Sequence, residues 1–398
     1  MSLAQQHSAA QPPEEAAAPL LFTPLQLRGL TLKNRVMLSP MAIYGAKNGF
    51  TSDLHLIHYG RFALGGVGLI FVENTAVTDE GRITHGCPGL WRDEQADNLK
   101  RITAFAHECG AAIGIQLSHC GRKGSSQRPW HGGMPLGEAD LAAREELSWP
   151  IRASSSEPFD SGWPSPKELT VAEIDELVED YRRATIRARD AGFDVVEMHC
   201  AHGYLLHSFL SPLANTRTDD YGGSLENRMR LPLRIAAAMR AEWPEDRPIF
   251  TRISSVDGIN VGWSIDDSVA FARELKAVGV DVIDCSSGGM KLPRGQSLVS
   301  RTRGFQVPFA GRIRREVDIP TVAVGLIRDA EYAESVLAEG DADLIAIGRE
   351  ALFNPNWAVG AALELKGGSG WEDWQERYGW WLERRSIQQG DVFGRKAG

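Results

Sequence analysis

Eight short apolar runs recur along the chain: 35–41 (RVMLSPM), 67–74 (VGLIFVEN), 111–117 (AAIGIQL), 193–199 (FDVVEMH), 248–254 (PIFTRIS), 280–287 (VDVIDCSS), 320–326 (PTVAVGL) and 342–349 (ADLIAIGR). Each is mostly continuous hydrophobic sequence, as expected of a parallel strand covered on both faces. Helical patterns lie between them. Residues 94–109 place Leu99, Ile102, Phe105 and Ala106 on one face and stop before Gly110. Thr170 followed by Glu173 reads as a capping box, Ser264 with Asp267 opens another helix, and 329–339 ends at Gly340. Strand followed by helix, repeated eight times, predicts an α/β chain folded as a (β/α)8 TIM barrel. A doubly wound sheet is the competing architecture, but the first strand has no GxGxxG turn after it.

Two stretches break the rhythm. Residues 124–169 form a long Gly-, Pro- and Ser-rich segment with Trp130, Trp149 and Trp163, expected as a loop at the catalytic end. The stretch from 367 holds Trp371, Trp374, Trp380 and Trp381 beside Arg377 and Tyr378, a density expected to pack on the barrel or on a partner subunit. The organisation expected is therefore a disordered tail at 1–19, a barrel at 20–366 and a Trp-rich extension at 367–398.

Composition narrows the chemistry. The 398 residues carry a net charge of −9, which argues against nucleic acid or an anionic membrane as partner. No apolar run approaches the roughly 18 residues of a membrane span. The first 19 residues lack the basic start and apolar core of a signal peptide, and the five cysteines (Cys87, Cys109, Cys120, Cys200, Cys285) include no CxxC pair. A cytoplasmic protein without a disulfide framework is expected.

Barrel enzymes place their chemistry at the C-terminal ends of the strands. Those ends present Pro40, Met41, Ala42 and Tyr44; Glu73 and Asn74; Gln116, His119, Arg122 and Lys123; His199, His202 and Tyr204; Arg252; Ser286, Ser287, Gly288 and Gly289; Gly325; and Gly348 with Arg349. Glycines after strands seven and eight, with Arg349 as a forked donor, fit a phosphate site; the bland reading is two tight turns and a solvated charge. His199 and His202 suit two hydrogen-bond donors to a substrate oxyanion, with Tyr204 as proton source. Metal ligation with His207 or Cys200, or plain packing, is the alternative. Arg252 lies in a buried strand and needs an anionic partner: a carboxylate such as Glu197, or the N1–C2=O edge of a flavin.

These residues sit in motifs that resemble the Old Yellow Enzyme family of FMN-dependent ene-reductases, most closely its bacterial, thermophilic-like branch. The motifs are LKNRVMLSPM at 32–41, IQLSHCGRKG at 115–124, FDVVEMHCAHGYLLHSFLSP at 193–212, NTRTDDYGGSLENR at 215–228 and LIAIGREALFNP at 344–355. The resemblance implies a (β/α)8 barrel with FMN across the strand ends and NADPH or NADH as reductant. It implies that Pro40, Met41, Ala42 and Asn74 line the flavin ring, Gln116 meets the pyrimidine edge and Arg252 lies near N1. Ser287, Gly288, Gly325, Gly348 and Arg349 would take the phosphate. His199 and His202 would hold a substrate carbonyl, Tyr204 would donate the proton and Tyr44 would line the pocket. Arg377 is the candidate for an arginine that reaches a neighbouring subunit's site, in a homodimer or homotetramer. The branch commonly has Cys where this chain has Ala42, and a small residue where it has Asn74.

The expected activity is hydride transfer from reduced flavin to the β-carbon of an α,β-unsaturated carbonyl compound. The same site run oxidatively, as a dehydrogenase or demethylase, is the first alternative. A flavin-free lyase or aldolase using Lys123 as Schiff-base nucleophile, or a metal-dependent hydrolase built on the histidines, belongs to a different class.

Overall fold

A computed structural model describes residues 18–292 and 295–389. Eight parallel strands close into a barrel: β1 (Val36–Leu38), β2 (Leu69–Ala76), β3 (Ala112–Ser118), β4 (Val195–Cys200), β5 (Ile249–Ser254), β6 (Val282–Ser286), β7 (Thr321–Ala323) and β8 (Leu344–Ile347), with β8 pairing back to β1. Each of the eight apolar runs overlaps one of these strands; five contain theirs whole, and Leu69–Ala76, Ala112–Ser118 and Val195–Cys200 run one or two residues past the end of theirs. The expected tail at 1–19 lies outside the described residues except for Ala18 and Pro19.

Alternate residues of each strand join two separate cores, as the two-residue period of a strand requires. Val36, Ile70, Ile113, Val196, Ile253, Ile283 and Ile345 face outward into a large core shared with the helices. Met37, Leu69, Phe71, Val195, Phe250, Val282, Val322 and Leu344 face inward. This inner layer is closed from below by an N-terminal hairpin, Leu25–Leu27 with Leu30–Leu32, whose Leu27 and Leu32 are buried against it. Space there is tight. A Cβ at Gly114 would lie 2.5 Å from the Phe71 ring.

The helices start where their caps predict. Thr170 accepts from the Glu173 N–H at the start of Val171–Asp190, Ser264 accepts from Asp267 N–H ahead of Ile265–Ala277, and Asp329 caps Ala330–Ala338. Each supplies an acceptor to an N–H with no partner inside the helix. The helix Ala96–Glu108 buries Leu99, Ile102 and Ala106 as its period demands.

Residues 124–169 are not bare loop. They hold the helix Glu138–Arg144 and a small sheet of Arg152–Ala153 with Lys167–Glu168. Asp140 and Glu146, both buried, are neutralised by Arg144 and Arg128. In the C-terminal extension, Gln375 Nε2 donates to the Cys109 carbonyl at 2.8 Å, while the helix Glu376–Gln389 leaves Trp380 and Trp381 exposed. Residues 390–398 of that extension lie outside the described set.

Candidate active site

Two residues further along β3, β4, β5 and β6 the barrel interior changes from apolar to polar, while Val324 and Ala346 keep β7 and β8 apolar. Gln116, Glu197, Arg252 and Asp284 occupy this second level, and all are buried. Register pairs Gln116 with Glu197 and Arg252 with Asp284 on adjacent strands. Side chains follow the register: Gln116 Nε2 donates to Glu197 Oε1 at 2.7 Å, and Arg252 Nε lies 3.2 Å from Asp284 Oδ2. A further arm, Arg252 Nη1, donates to Ser39 Oγ at 3.1 Å. The carboxylate against Arg252 is thus Asp284 rather than Glu197. Burial, with the Asp284 charge next, holds Glu197 well above the usual carboxylate range, and burial raises Asp284 as well against the pull of the Arg252 charge.

One more step of two reaches His199, Ser254 and Ser286. The Ala201 N–H donates to His199 Nδ1 at 3.1 Å, which leaves the ring proton on Nε2. His202 Nε2 meets Ser286 Oγ at 2.7 Å. With that hydroxyl as donor, the His202 proton sits on Nδ1. His199 Nε2 and His202 Nδ1 lie 3.4 Å apart; in that tautomer of His202, an acceptor seated beside them could take both protons. Burial first, then the Arg252 charge, holds both imidazoles far below their ordinary range, which keeps them neutral.

Backbone geometry presents this pair. His202 has φ 61°, a left-handed conformation that a non-glycine residue adopts only when its surroundings hold it there. Three contacts do so. The His202 N–H donates to Ser254 Oγ at 2.9 Å, its carbonyl accepts from Lys123 Nζ at 2.8 Å, and Gly289 packs so closely that a Cβ there would come within 2.1 Å of the His202 Cα. Tyr204 stands edge-on to His199 with ring centroids 5.0 Å apart, and its phenol is kept protonated by burial. Lys123 lies over the Tyr204 and Phe159 rings, and burial lowers its ammonium to about 8.

The loop after β1 brings Pro40, Met41, Ala42 and Tyr44 to the same mouth. Met41 Sδ approaches Gly348, Tyr44 takes φ 51°, and its ring meets Trp130 at 5.9 Å. Asn74 donates to Ser118 Oγ at 2.9 Å across β2 and β3.

Past β7 and β8 lies a cavity of ≈ 360 Å³ lined by Gln306, Gly325, Leu326, Arg328, Gly348 and Arg349, among others. Among the described residues neither Arg328 nor Arg349 has a side-chain hydrogen bond or ion pair. Two free guanidiniums beside glycines are the donor set of an anion site, and they fit the phosphate of FMN. Arg328 was not read from the sequence, where the seventh strand end was followed only to Gly325. Gly288 contributes differently from the expectation: its N–H is engaged by the Val256 carbonyl at 2.8 Å, so what it offers a ligand is the absence of a side chain beside Ser287.

Two expected residues lie elsewhere. His207 Nε2 is 3.1 Å from Asp257 Oδ1 with both side chains buried, and among the described residues no three His, Cys, Asp or Glu are grouped to hold a metal ion. Arg377 is exposed at the opposite end of the barrel, close enough to Cys109 to act on its thiol. It does not join the other residues within one chain.

The description "NADH:flavin oxidoreductase / NADH oxidase family" matches residues 20–366. The chain belongs to that family. It is 44% identical over 348 residues to an NADPH dehydrogenase of Geobacillus thermodenitrificans, covering 87% of this chain and 94% of that one. An NADPH dehydrogenase of Bacillus subtilis is 42% identical over 347 residues, covering 87% and 95%. Morphinone reductase is a solved structure with 27% identity and a TM-score of 0.70, covering 88% of this chain and 91% of that chain. These likenesses support the Old Yellow Enzyme resemblance read from the motifs. The protein is an FMN-dependent oxidoreductase of NAD(P)H. The lyase and hydrolase alternatives fall with that assignment, and Lys123 is in any case bonded to the His202 carbonyl.

Proposed function

We propose that the enzyme reduces the carbon–carbon double bond of α,β-unsaturated carbonyl compounds. The observation that carries this reading is the approach of His199 Nε2 and His202 Nδ1 to 3.4 Å, with the other nitrogen of each ring engaged by the Ala201 N–H and by Ser286 Oγ. FMN bound over the strand ends supplies the hydride when reduced by NAD(P)H. The protein's own part is to bind, polarise and protonate. His199 and His202 hold the substrate carbonyl oxygen and stabilise the negative charge that develops on it. Because both rings are neutral, they stabilise by hydrogen bonding without protonating the oxygen outright. Tyr204, kept as the phenol, delivers a proton to the α-carbon. Tyr44 and Trp130 wall the pocket.

Arg252 and the Gln116 amide would meet the flavin's pyrimidine edge, and Arg328 and Arg349 would hold its phosphate. Pro40, Met41, Ala42 and Asn74 would line the ring, and Ser287, Gly288, Gly325 and Gly348 would leave room for the phosphate tail. Arg377 serves a substrate only from a second copy of the chain, in a homodimer or homotetramer. The likeness to morphinone reductase supports the reductive direction.

The test is anaerobic stopped-flow reoxidation of the reduced holoenzyme by 2-cyclohexenone. His199→Ala and Tyr204→Phe are expected to slow that step while FMN stays bound. Unchanged rates in both variants would refute these roles.

A further inference from the structure

Glu73 is a buried acid that enone reduction does not use, and no part of its side chain reaches solvent. It sits in an irregularity of β2, where the register with β3 shifts between Val72 and Thr75. Such a bulge re-aims side chains at the rim of a barrel. Here Glu73 is turned toward the loop after β1. Its Oε2 accepts from the Ile43 N–H at 2.8 Å and the Tyr44 N–H at 3.4 Å. The other oxygen is held from the helix Asp53–Leu64. Tyr59 O–H donates to Oε1 at 3.4 Å, and His55 Nε2 lies 3.7 Å from it. The Ser52 N–H donates to His55 Nδ1 at 3.1 Å, so that ring also carries its proton on Nε2, facing Glu73. Tyr59 is fixed in turn by the Glu73 N–H at 2.9 Å.

All four groups pointing at Glu73 are donors without formal charge, and two of them are main-chain amides of one loop. That loop carries Ala42 immediately before Ile43, and Tyr44 in its strained conformation. Backbone in that region of φ/ψ persists only where surrounding structure dictates it.

We propose that Glu73 is a positioning residue: its Oε2 anchors the Ile43–Tyr44 backbone and thereby sets Ala42 and Tyr44 on the wall of the site. The inference rests on the enone-reductase reading for its kinetic consequence, though not for the anchoring itself. Burial pushes the Glu73 carboxyl up to about 8, so an acceptor oxygen matters more than a full charge. A neutral amide keeps one oxygen for the two loop amides while the Tyr59 hydroxyl turns to accept from its NH2 group; an isosteric thioether keeps no such oxygen.

The experiment compares Glu73→Gln with Glu73→Met in the FMN-loaded enzyme. Amide hydrogen exchange of the segment covering Ile43 and Tyr44 is read alongside KM and kcat for 2-cyclohexenone. In the wild type both amides are expected to be protected. E73Q should keep that protection and the wild-type KM. E73M should exchange at least tenfold faster there and raise KM about tenfold, with a smaller change in kcat. Unprotected amides in the wild type, or E73M indistinguishable from E73Q, would overturn the proposal. Should E73M not fold, Tyr59→Phe removes one donor that orients Oε1. An increase in exchange at Ile43 and Tyr44 is then expected, and its absence counts against the anchor. Protected amides in an enzyme that does not turn over enones would sink the substrate reading and leave the anchor standing.

Discussion

Ser286 touches no substrate in this mechanism, yet its removal should be felt in catalysis. Its hydroxyl is buried 2.7 Å from His202 Nε2 and, as the donor there, keeps the His202 proton on Nδ1. In Ser286→Ala the imidazole is free to place its proton on Nε2, away from the point where His199 Nε2 also aims. The loss is one neutral hydrogen bond, about 0.5–1.5 kcal/mol, or roughly 2- to 13-fold in rate. Deleting the donor itself, in His202→Ala, removes a charge-stabilising group at the developing oxyanion and should cost about 10²–10³. The assay is the second-order rate of flavin reoxidation by 2-cyclohexenone in anaerobic stopped flow, followed at the flavin absorbance. The expected order is wild type, then S286A slower by about an order of magnitude at most, then H202A far below both. If S286A matches H202A, the serine does more than fix a tautomer. If H202A matches the wild type, the two histidines do not act as paired donors.

Three further outcomes follow from the geometry. Burial lowers His55, His58 and His119 to about 4, and holds His199 and His202 far below their ordinary range. The unfolded chain binds protons on these rings below about pH 6.5 while the folded chain does not, so each ring loses up to ~1.4 kcal/mol of stability per pH unit as pH drops from 6.5 toward 4. The raised carboxyls of Glu73, Glu197 and Asp284 act in the opposite sense over the same range. Five rings against three acids leave a net loss; a melting temperature equal at pH 7 and pH 5 would contradict this. Arg252→Met leaves Asp284 and Glu197 buried without their cation, and should cost roughly 3–5 kcal/mol in denaturant unfolding, together with loss of bound FMN. Arg349→Ala should weaken FMN by about 1.5–3 kcal/mol, roughly 10- to 150-fold, and leave riboflavin affinity unchanged in fluorescence titrations, because riboflavin has no phosphate to grip; equal loss for both ligands would place Arg349 elsewhere.

The strands were legible because a parallel barrel buries both faces, which leaves runs such as VGLIFVEN with little polar interruption. Their ends were less so. The run 320–326 contains only the three-residue strand Thr321–Ala323, since Gly325 at φ 120° turns the chain away. Caps at Thr170 and Ser264 were readable from spacing alone, because each acts within three residues, whereas the cap at Asp329 is seen only in the structure. The partner of Arg252 was not. Whether Glu197 or Asp284 lies against it depends on barrel shear, which sets the relative heights of strands far apart in sequence. Likewise, the spacing of His199 and His202 shows two imidazoles but not which nitrogen faces which, a matter settled by Ala201 and Ser286. Glu73 read as a strand end, and only the bulge in β2 reveals that it serves the loop after β1.

The most direct test of the central claim is a crystal structure of the oxidised holoenzyme with 2-cyclohexenone bound. The carbonyl oxygen is expected within ~2.7–3.2 Å of both His199 Nε2 and His202 Nδ1, with Ser286 still bonded to the far side of His202. A carbonyl seated elsewhere, with the two imidazoles still facing each other, would contradict the account.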